Sequence, residues 1–252
     1  MESKRVQFTN ENAAVNRPSP DRSLVAEHLV LMCASALFTG LTKNECLEIA
    51  SCGRVRTFAR DELLFAQGDP NRNLTMVLSG SVKLTQISSG GNEVLLWMSG
   101  KGDPVNVSAE SESCSHTCSA RAVEHCRALV WEYSRLNSLL DQYPQIRDNI
   151  NRILSSRLSE LEERFREVAT EKAAKRLALA LTRLLKQVGK PLTDGIQVSL
   201  SREELAQMTG TTLFTISRIL SKWAERGFVV PRREAVVVMD QKMLEYADDE
   251  DA

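Results

Sequence analysis

Aromatic residues make up 5% of the 252-residue chain, and its three histidines, at 28, 116 and 125, leave little acid–base chemistry near neutral pH. No HExxH pattern, Gly-rich phosphate loop or nucleophile elbow is present, which sets aside the enzyme classes built on them. Long apolar runs are also missing. Runs such as Val94 to Met98 and Val236 to Met239 fall far short of the ~20 residues a membrane-spanning helix requires. The opening segment MESKRVQFTNENAAVNRPSP is basic but has no apolar stretch and no small-residue cleavage site, so no signal peptide is expected and the chain reads as cytoplasmic. In that setting the six cysteines, at 33, 46, 52, 114, 118 and 126, are expected as reduced thiols rather than a disulfide framework. Nor does one sign of charge dominate, the net value being -1.

Apolar residues at 42% and charged residues at 26% match an ordinary globular protein, and the length suits two modest domains. Charge is unevenly spread. Residues 173 to 244 hold 12 Lys and Arg against 6 Asp and Glu, a balance of +6, whereas the last eight residues, EYADDEDA, carry five acids. A basic C-terminal part with an acidic tail favours a polyanionic partner for that part.

Residues 1–25 are polar, contain PSP and lack periodicity, so they are expected to form a disordered arm. A short helical pattern covers Leu24 to Leu37, and Thr42-Lys-Asn-Glu45 has the spacing of a capping box opening a second helix to about Ala50. From Arg54 the runs VRTF, LLFA, LTMVL, SVKLTQI, EVLLWM, SARAV and RALVWEY alternate, with turn residues between them. They predict an antiparallel sandwich or roll over residues 26–143. Past Pro144, Ile146, Ile150, Leu154, Leu158, Leu161, Phe165 and Val168 recur every three or four residues, giving one long amphipathic helix over 144–171. Its seam exceeds what a small roll needs to cover. Residues Ile146, Ile150, Leu154, Leu158, Leu161 and Phe165 are therefore candidate homodimer contacts.

Residues 172–252 form the third region. Lys172 to Val188 reads as a helix stopped by Gly189 and Pro191. Ser201-Arg-Glu-Glu204 is a second capping box, its helix ending at Gly210, and Thr212 caps a further helix that ends at Gly227. Small Ala206 at the crossing, Gly210 in the turn and apolar Ile216 and Ile219 have helix-turn-helix spacing, and VVPRREAVVVM follows as a two-stranded wing. The start of the second helix enters the major groove in such motifs, so Thr211, Thr212, Leu213, Phe214, Ser217 and Arg218 are the candidate duplex-DNA readers. Arg218 can pair with guanine N7 and O6, worth ~1 to 3 kcal/mol of discrimination. Arg202, Lys222, Arg232 and Arg233 are candidate phosphate contacts.

Taken together, ALFTGLTKNECLEIA, FARDELLFAQGDPNRNLTMVLSGSVKLTQ, the GDP at 102–104 and SREELAQMTGTTLFTISRILSKWAERGFV make the chain from about Leu37 to Met239 resemble the CRP/FNR family of bacterial transcription regulators. The resemblance implies an α+β fold: an N-terminal cyclic-nucleotide-binding-like β-roll, a long dimerisation helix and a C-terminal winged helix-turn-helix, with RNA polymerase as a partner. Members that bind cyclic nucleotides carry a Gly-Glu pair for the ribose and an Arg-Ser pair for the phosphate. Asn106-Val107 and His116-Thr117 stand there instead, so a bound cyclic phosphate would lack its arginine and cyclic AMP is not the expected effector. Oxygen-sensing members hold an iron-sulfur cluster through N-terminal cysteines, and none precedes Cys33. The group Cys114, Cys118 and Cys126, with His116 and His125, falls in the roll. It admits a metal or cluster, a redox pair, or plain buried thiols. Asn106, Val107, Cys114, His116, Thr117 and Cys118 are thus the candidate effector pocket. In the reading helix Ser217 and Arg218 match the oxygen-sensing branch, while Phe214 replaces its glutamate. The segment TTLFTISRILSKW is also similar to the nitric-oxide and denitrification subgroup, which often senses through haem. The competing expectation is a small-molecule or cyclic-nucleotide receptor whose C-terminal domain contacts protein.

Overall fold

A computed structural model describes residues 22–107 and 114–240. The acidic tail and most of the expected N-terminal arm lie outside them. The arm's last residues do not: α1 (Arg22–Ala34) begins inside the segment expected to lack structure. A 3-10 turn at Ala36–Phe38 leads to α2 (Lys43–Cys52). The Thr42 capping box forms as its spacing predicts, with the Thr42 hydroxyl accepting from the Glu45 amide and the Glu45 carboxylate accepting from Thr42 N at 2.7 Å.

Eight strands then build the roll: β1 (Arg54–Phe58), β2 (Leu63–Phe65), β3 (Asn73–Ser79), β4 (Val82–Ile87), β5 (Glu93–Ser99), β6 (Pro104–Asn106), β7 (Ser119–Ala122) and β8 (Cys126–Glu132). They pair as two antiparallel sheets, β1-β8-β3-β6 and β2-β7-β4-β5. Strand alternation sorts the side chains between faces. Phe58, Val77, Val82, Leu84, Val105, Ala120, Ala122 and Ala128 fill the space between the sheets. Leu74, Met76, Leu78 and Trp131 point outward to meet the N-terminal helices. The Trp131 indole N–H donates to Ile49 O at 2.8 Å, so this large ring is buried with its polar edge satisfied.

The strand pattern of RALVWEY stops at Glu132, where the chain turns into α3 (Tyr133–Gln142), a helix absent from the sequence expectations. Its N-cap makes no side-chain hydrogen bond, so no cap residue announces it. Pro144 then opens α4 (Gln145–Thr170). The seam of α4 divides along its length. Ile146 and Ile150 are buried in the chain's own N-terminal cluster, which corrects the expectation that these two serve a dimer contact, while Leu154 is half-buried against that cluster. Leu158, Leu161, Phe165 and Val168, on the second half of α4, stay exposed, Phe165 at 78%.

The C-terminal unit comprises α5 (Ala173–Val188), β9 (Lys190–Leu192), β10 (Gly195–Val198), α6 (Arg202–Thr209), α7 (Leu213–Glu225), β11 (Val229–Pro231) and β12 (Val236–Val238). The expected two-stranded wing belongs to a four-stranded sheet, β11-β12-β10-β9. Gly210 adopts φ 61° and Gly227 φ 74°, left-handed values that glycine reaches without the Cβ penalty, so both helix stops form where the sequence places them. Leu177, Leu181, Leu184, Ile216, Ile219 and Trp223 form the core. That core does not end at the domain edge. Leu95 and Met98 of β5 belong to the same apolar cluster, which seats α5 and α6 against the roll.

Candidate nucleic-acid interface and effector cavity

Two helices set up the DNA-facing surface. Ser201 Oγ accepts from Glu204 N at 3.2 Å, and Glu204 Oε2 accepts from Ser201 N at 2.7 Å, fixing the start of α6. Thr212 Oγ1 accepts from Thr215 N at 3.1 Å and fixes the start of α7. Ile216, Ile219, Leu220 and Trp223 bury one face of α7. Phe214, Ser217, Arg218 and Lys222 follow at i, i+3, i+4 and i+8 on another. Leu213 and Phe214 leave 51% and 78% of their surface exposed, and Arg218 is exposed beside them. Thr211 and Ser217 are half-buried, and the Thr212 hydroxyl is occupied by its capping bond.

The expected phosphate contacts differ among themselves. Lys222 is exposed on α7. Arg202 is half-buried on α6 with its Nε enclosed, so it is not an extended surface arm. Arg232 and Arg233 sit at the wing turn and line a cleft of about 720 Å³ shared with the β-roll, and Arg232 donates to the Gln197 amide oxygen at 2.8 Å. Ion pairs cross this cleft: Lys83 to Glu204 at 2.5 Å, Arg60 to Glu234 at 2.5 Å, and Lys190 to Glu124. Burial pushes the Glu204 carboxyl up, but the Lys83 ammonium and the Ser201 amide together outweigh it, leaving the group below the usual carboxylate range. Arg164 of α4 gathers both units, its guanidinium donating to the carbonyls of Leu95, Leu96 and Met208.

The candidate effector residues separate. Asn106 and His116 line a cavity of about 350 Å³ at the open end of the roll. Val107 packs with the outer core, Cys118 packs with the inner core, and Thr117 and Cys114 are exposed. Sequence reasoning missed most of the lining, including Arg56, Phe58, Phe65, Arg72 and Thr75. These residues are far apart along the chain and converge only when the two sheets close. The His116 ring stacks on Phe65 with centroids 3.7 Å apart and an interplanar angle of 11°. Its burial holds the imidazole below its ordinary pKa despite the nearby Asp69.

The cysteines do not assemble a metal centre. Cys114 is exposed, Cys118 half-buried and Cys126 buried, and among the described residues no group of three or more His, Cys, Asp or Glu is arranged to hold a metal ion. Burial raises the Cys118 thiol and takes Cys126 to about 11, so both are protonated near neutral pH and poor nucleophiles. That argues against a reactive pair formed by these two. No described helix is long and apolar enough to cross a membrane.

A cyclic nucleotide-binding domain model matches residues 55–143, and a Crp-like helix-turn-helix domain model matches 175–247. The chain is 31% identical to the Cyclic AMP receptor protein of Thermus thermophilus, over 85% of this chain and 97% of that protein. It is 24% identical to the CRP-like cAMP-activated global transcriptional regulator of Mycobacterium tuberculosis, over 85% and 96%. Among solved structures, the c-di-GMP responsive global regulator CLP of Xanthomonas campestris superposes with a TM-score of 0.67 at 25% identity, over 79% of this chain and all of that one. With a β-roll, a long connecting helix and a helix-turn-helix whose reading face is open, and with these relatives spanning nearly their whole length, the chain belongs to the CRP/FNR family of transcription regulators.

Proposed function

We propose that the protein acts as a homodimer on an inverted-repeat DNA site and that its β-roll responds to an effector other than cyclic AMP. The observation that carries the dimer is the exposed half of α4. Leu158, Leu161, Phe165 and Val168 are spaced 3, 4 and 3 residues apart, the a/d rhythm of a two-stranded coiled coil, and they belong to none of the buried apolar clusters of their own chain. A second copy of the same helix is the natural cover. Two reading helices then present themselves about one DNA turn apart, which suits a symmetric site.

On this reading Phe214 and Leu213 meet thymine methyl groups, Arg218 reads guanine, Thr211, Thr212 and Ser217 add polar contacts, and Lys222, Arg232 and Arg233 meet phosphates. RNA polymerase is the partner expected of a regulator of this family. The effector reading rests on the roll. Neither the carboxylate nor the guanidinium that the family resemblance assigns to a cyclic nucleotide is present at 107 and 116, and the Asn106 amide is already bonded within the protein. The names of the Thermus and Mycobacterium relatives refer to cyclic AMP, so the comparison can be made directly. Footprinting on genomic fragments should show protected inverted repeats, and anisotropy titrations should show DNA affinity unaffected by cyclic AMP. Protection of isolated, asymmetric half-sites, or cyclic AMP tightening DNA binding as in a cAMP-activated regulator, overturns the proposal.

A further inference from the structure

The lining of the roll cavity points to the chemistry of its ligand. The walls are rigidly tied. Gly68 N donates to His116 O, His116 N to Asp69 O, and Asn71 N to Cys114 O, which laces the loop before β3 to the segment before β7. Asn106 Nδ2 donates to Asn71 Oδ1 at 3.0 Å and to Asn73 O, while its Oδ1 accepts from Thr75 N at 3.0 Å. That amide is therefore part of the wall and offers a ligand little. Among the described residues, the one carboxylate on the lining, Asp69, accepts from Ala66 N at 3.0 Å.

Two guanidiniums remain. Arg56 and Arg72 both line the cavity, and neither has a hydrogen-bond or ion partner among the described residues. Arg56 lies over the Phe58 ring, 4.9 Å from its centroid, so one face of the cation packs on an aromatic ring that also lines the cavity. The stacked Phe65–His116 pair supplies a flat wall on which a further ring can lie. A cyclic phosphodiester carries a single negative charge and matches only one of two arginines. A phosphomonoester near neutral pH carries close to two and matches both. The volume, near the lower end of the ~300 to 1,000 Å³ typical of small-molecule sites, fits a single-ring ligand rather than a dinucleotide.

We propose that the roll cavity binds a small phosphomonoester bearing a planar ring, with Arg56 and Arg72 as its paired anchors and Phe65–His116 as its stacking wall. This deepens the reading of the roll as the sensory domain and rests on it for its regulatory meaning. The test uses phenyl phosphate as the dianionic probe, methyl phenyl phosphate as its singly charged diester and benzyl alcohol as a neutral control, titrated calorimetrically into the full-length protein at mildly alkaline pH.

Phenyl phosphate should bind saturably once per chain, and the diester should bind about tenfold more weakly or worse, the loss expected for one charge-assisted pair. Benzyl alcohol should give no saturable heat. Arg56→Gln and Arg72→Gln should each weaken phenyl phosphate by about tenfold or more, and the double variant should abolish binding. Both side chains are exposed and make no hydrogen bond or ion pair among the described residues, so the variants should nearly keep the wild-type melting temperature, which separates a lost anchor from a lost fold. Absence of saturable phenyl phosphate binding, equal affinity for the diester, or variants that bind as the wild type does would each overturn the proposal. DNA titrations with and without phenyl phosphate keep the two readings apart. Arginine-dependent binding that leaves DNA affinity unchanged supports the site and removes its sensory role. A DNA response to another roll ligand, with phenyl phosphate indifferent to the arginines, overturns the site alone.

Discussion

Replacing Phe165 by alanine tests the dimer seam with a magnitude that can be worked out beforehand. In the single chain the side chain is 78% exposed and belongs to none of the three apolar clusters, so its removal should barely change the stability of the protomer. Full burial of a phenylalanine side chain contributes ~1.5 to 3 kcal/mol, so covering the exposed 78% contributes ~1.2 to 2.3 kcal/mol. Two-fold symmetry applies the loss twice, giving ~2.4 to 4.7 kcal/mol, or a dimer dissociation constant raised by about fifty-fold to a few thousand-fold. Sedimentation equilibrium across a wide concentration range measures that constant directly. Ile150→Ala is the control on the buried half of the same helix. At 5% exposure it should cost ~2 to 5 kcal/mol of folding stability without selectively loosening the dimer. A Phe165→Ala protein that dimerises within about threefold of the wild type, a change of less than 1 kcal/mol, would refute the assignment of this seam.

Arg218→Ala should reduce discrimination at one base pair of each half-site by ~1 to 3 kcal/mol while leaving the salt dependence nearly intact, as read by anisotropy on substituted operators. The carboxylate of Glu167 has a side chain 4% exposed and accepts two hydrogen bonds from Arg183, at 2.6 and 2.8 Å. Arg183→Met, which strands that carboxylate, should cost ~3 to 5 kcal/mol in urea unfolding. Glu167→Gln should cost less, because Arg183 keeps some solvent and lies 4.0 Å from Glu160. Glu204 titrates below its unfolded value, so its pairing with Lys83 stabilises the protein above about pH 4.3 and is lost as the pH falls through the lower folded value. The difference in urea midpoint between wild type and Lys83→Met should therefore shrink on acidification below about pH 4. Because the roll thiols do not converge, protein purified without oxygen should lack the visible charge-transfer bands of an iron-sulfur cluster, which absorbance spectroscopy checks.

What could be read from the sequence was whatever depends on neighbours along the chain. Both capping boxes, at Thr42 and Ser201, and both glycine stops around α7 are local devices, and each forms as its spacing predicts. The strands with clear alternation also appear where expected. Elements without a local mark were lost: α3 has no cap bond, β6 is three residues beginning at a proline, and β9 is an exposed edge with Pro191 at its centre. The cavity of the roll was legible only in part. Asn106 and His116 could be placed through the family pattern, but Arg56, Phe65 and Arg72 meet through the pairing of β1 and β3 with β8 and of β2 with β7, which one-dimensional spacing does not encode. The two helices of the helix-turn-helix and the turn between them were visible, whereas their contact with the roll, through residues as distant as Lys83 and Glu204, was not.

That last pair has a consequence for how the two domains communicate. The two oxygens of Glu204 are divided, Oε2 accepting from Ser201 N to hold the first turn of α6 and Oε1 meeting the Lys83 ammonium of the roll. An end-cap is ordinarily private to its own helix. Here one carboxylate serves two equilibria at once, so whatever loosens the roll from α6 also releases a restraint on the cap. By reciprocity, fraying of α6 weakens the grip of the roll by the same free energy. The first helix of the DNA-binding motif thus carries a thermodynamic link to the other domain in a single side chain, with no moving lever between them.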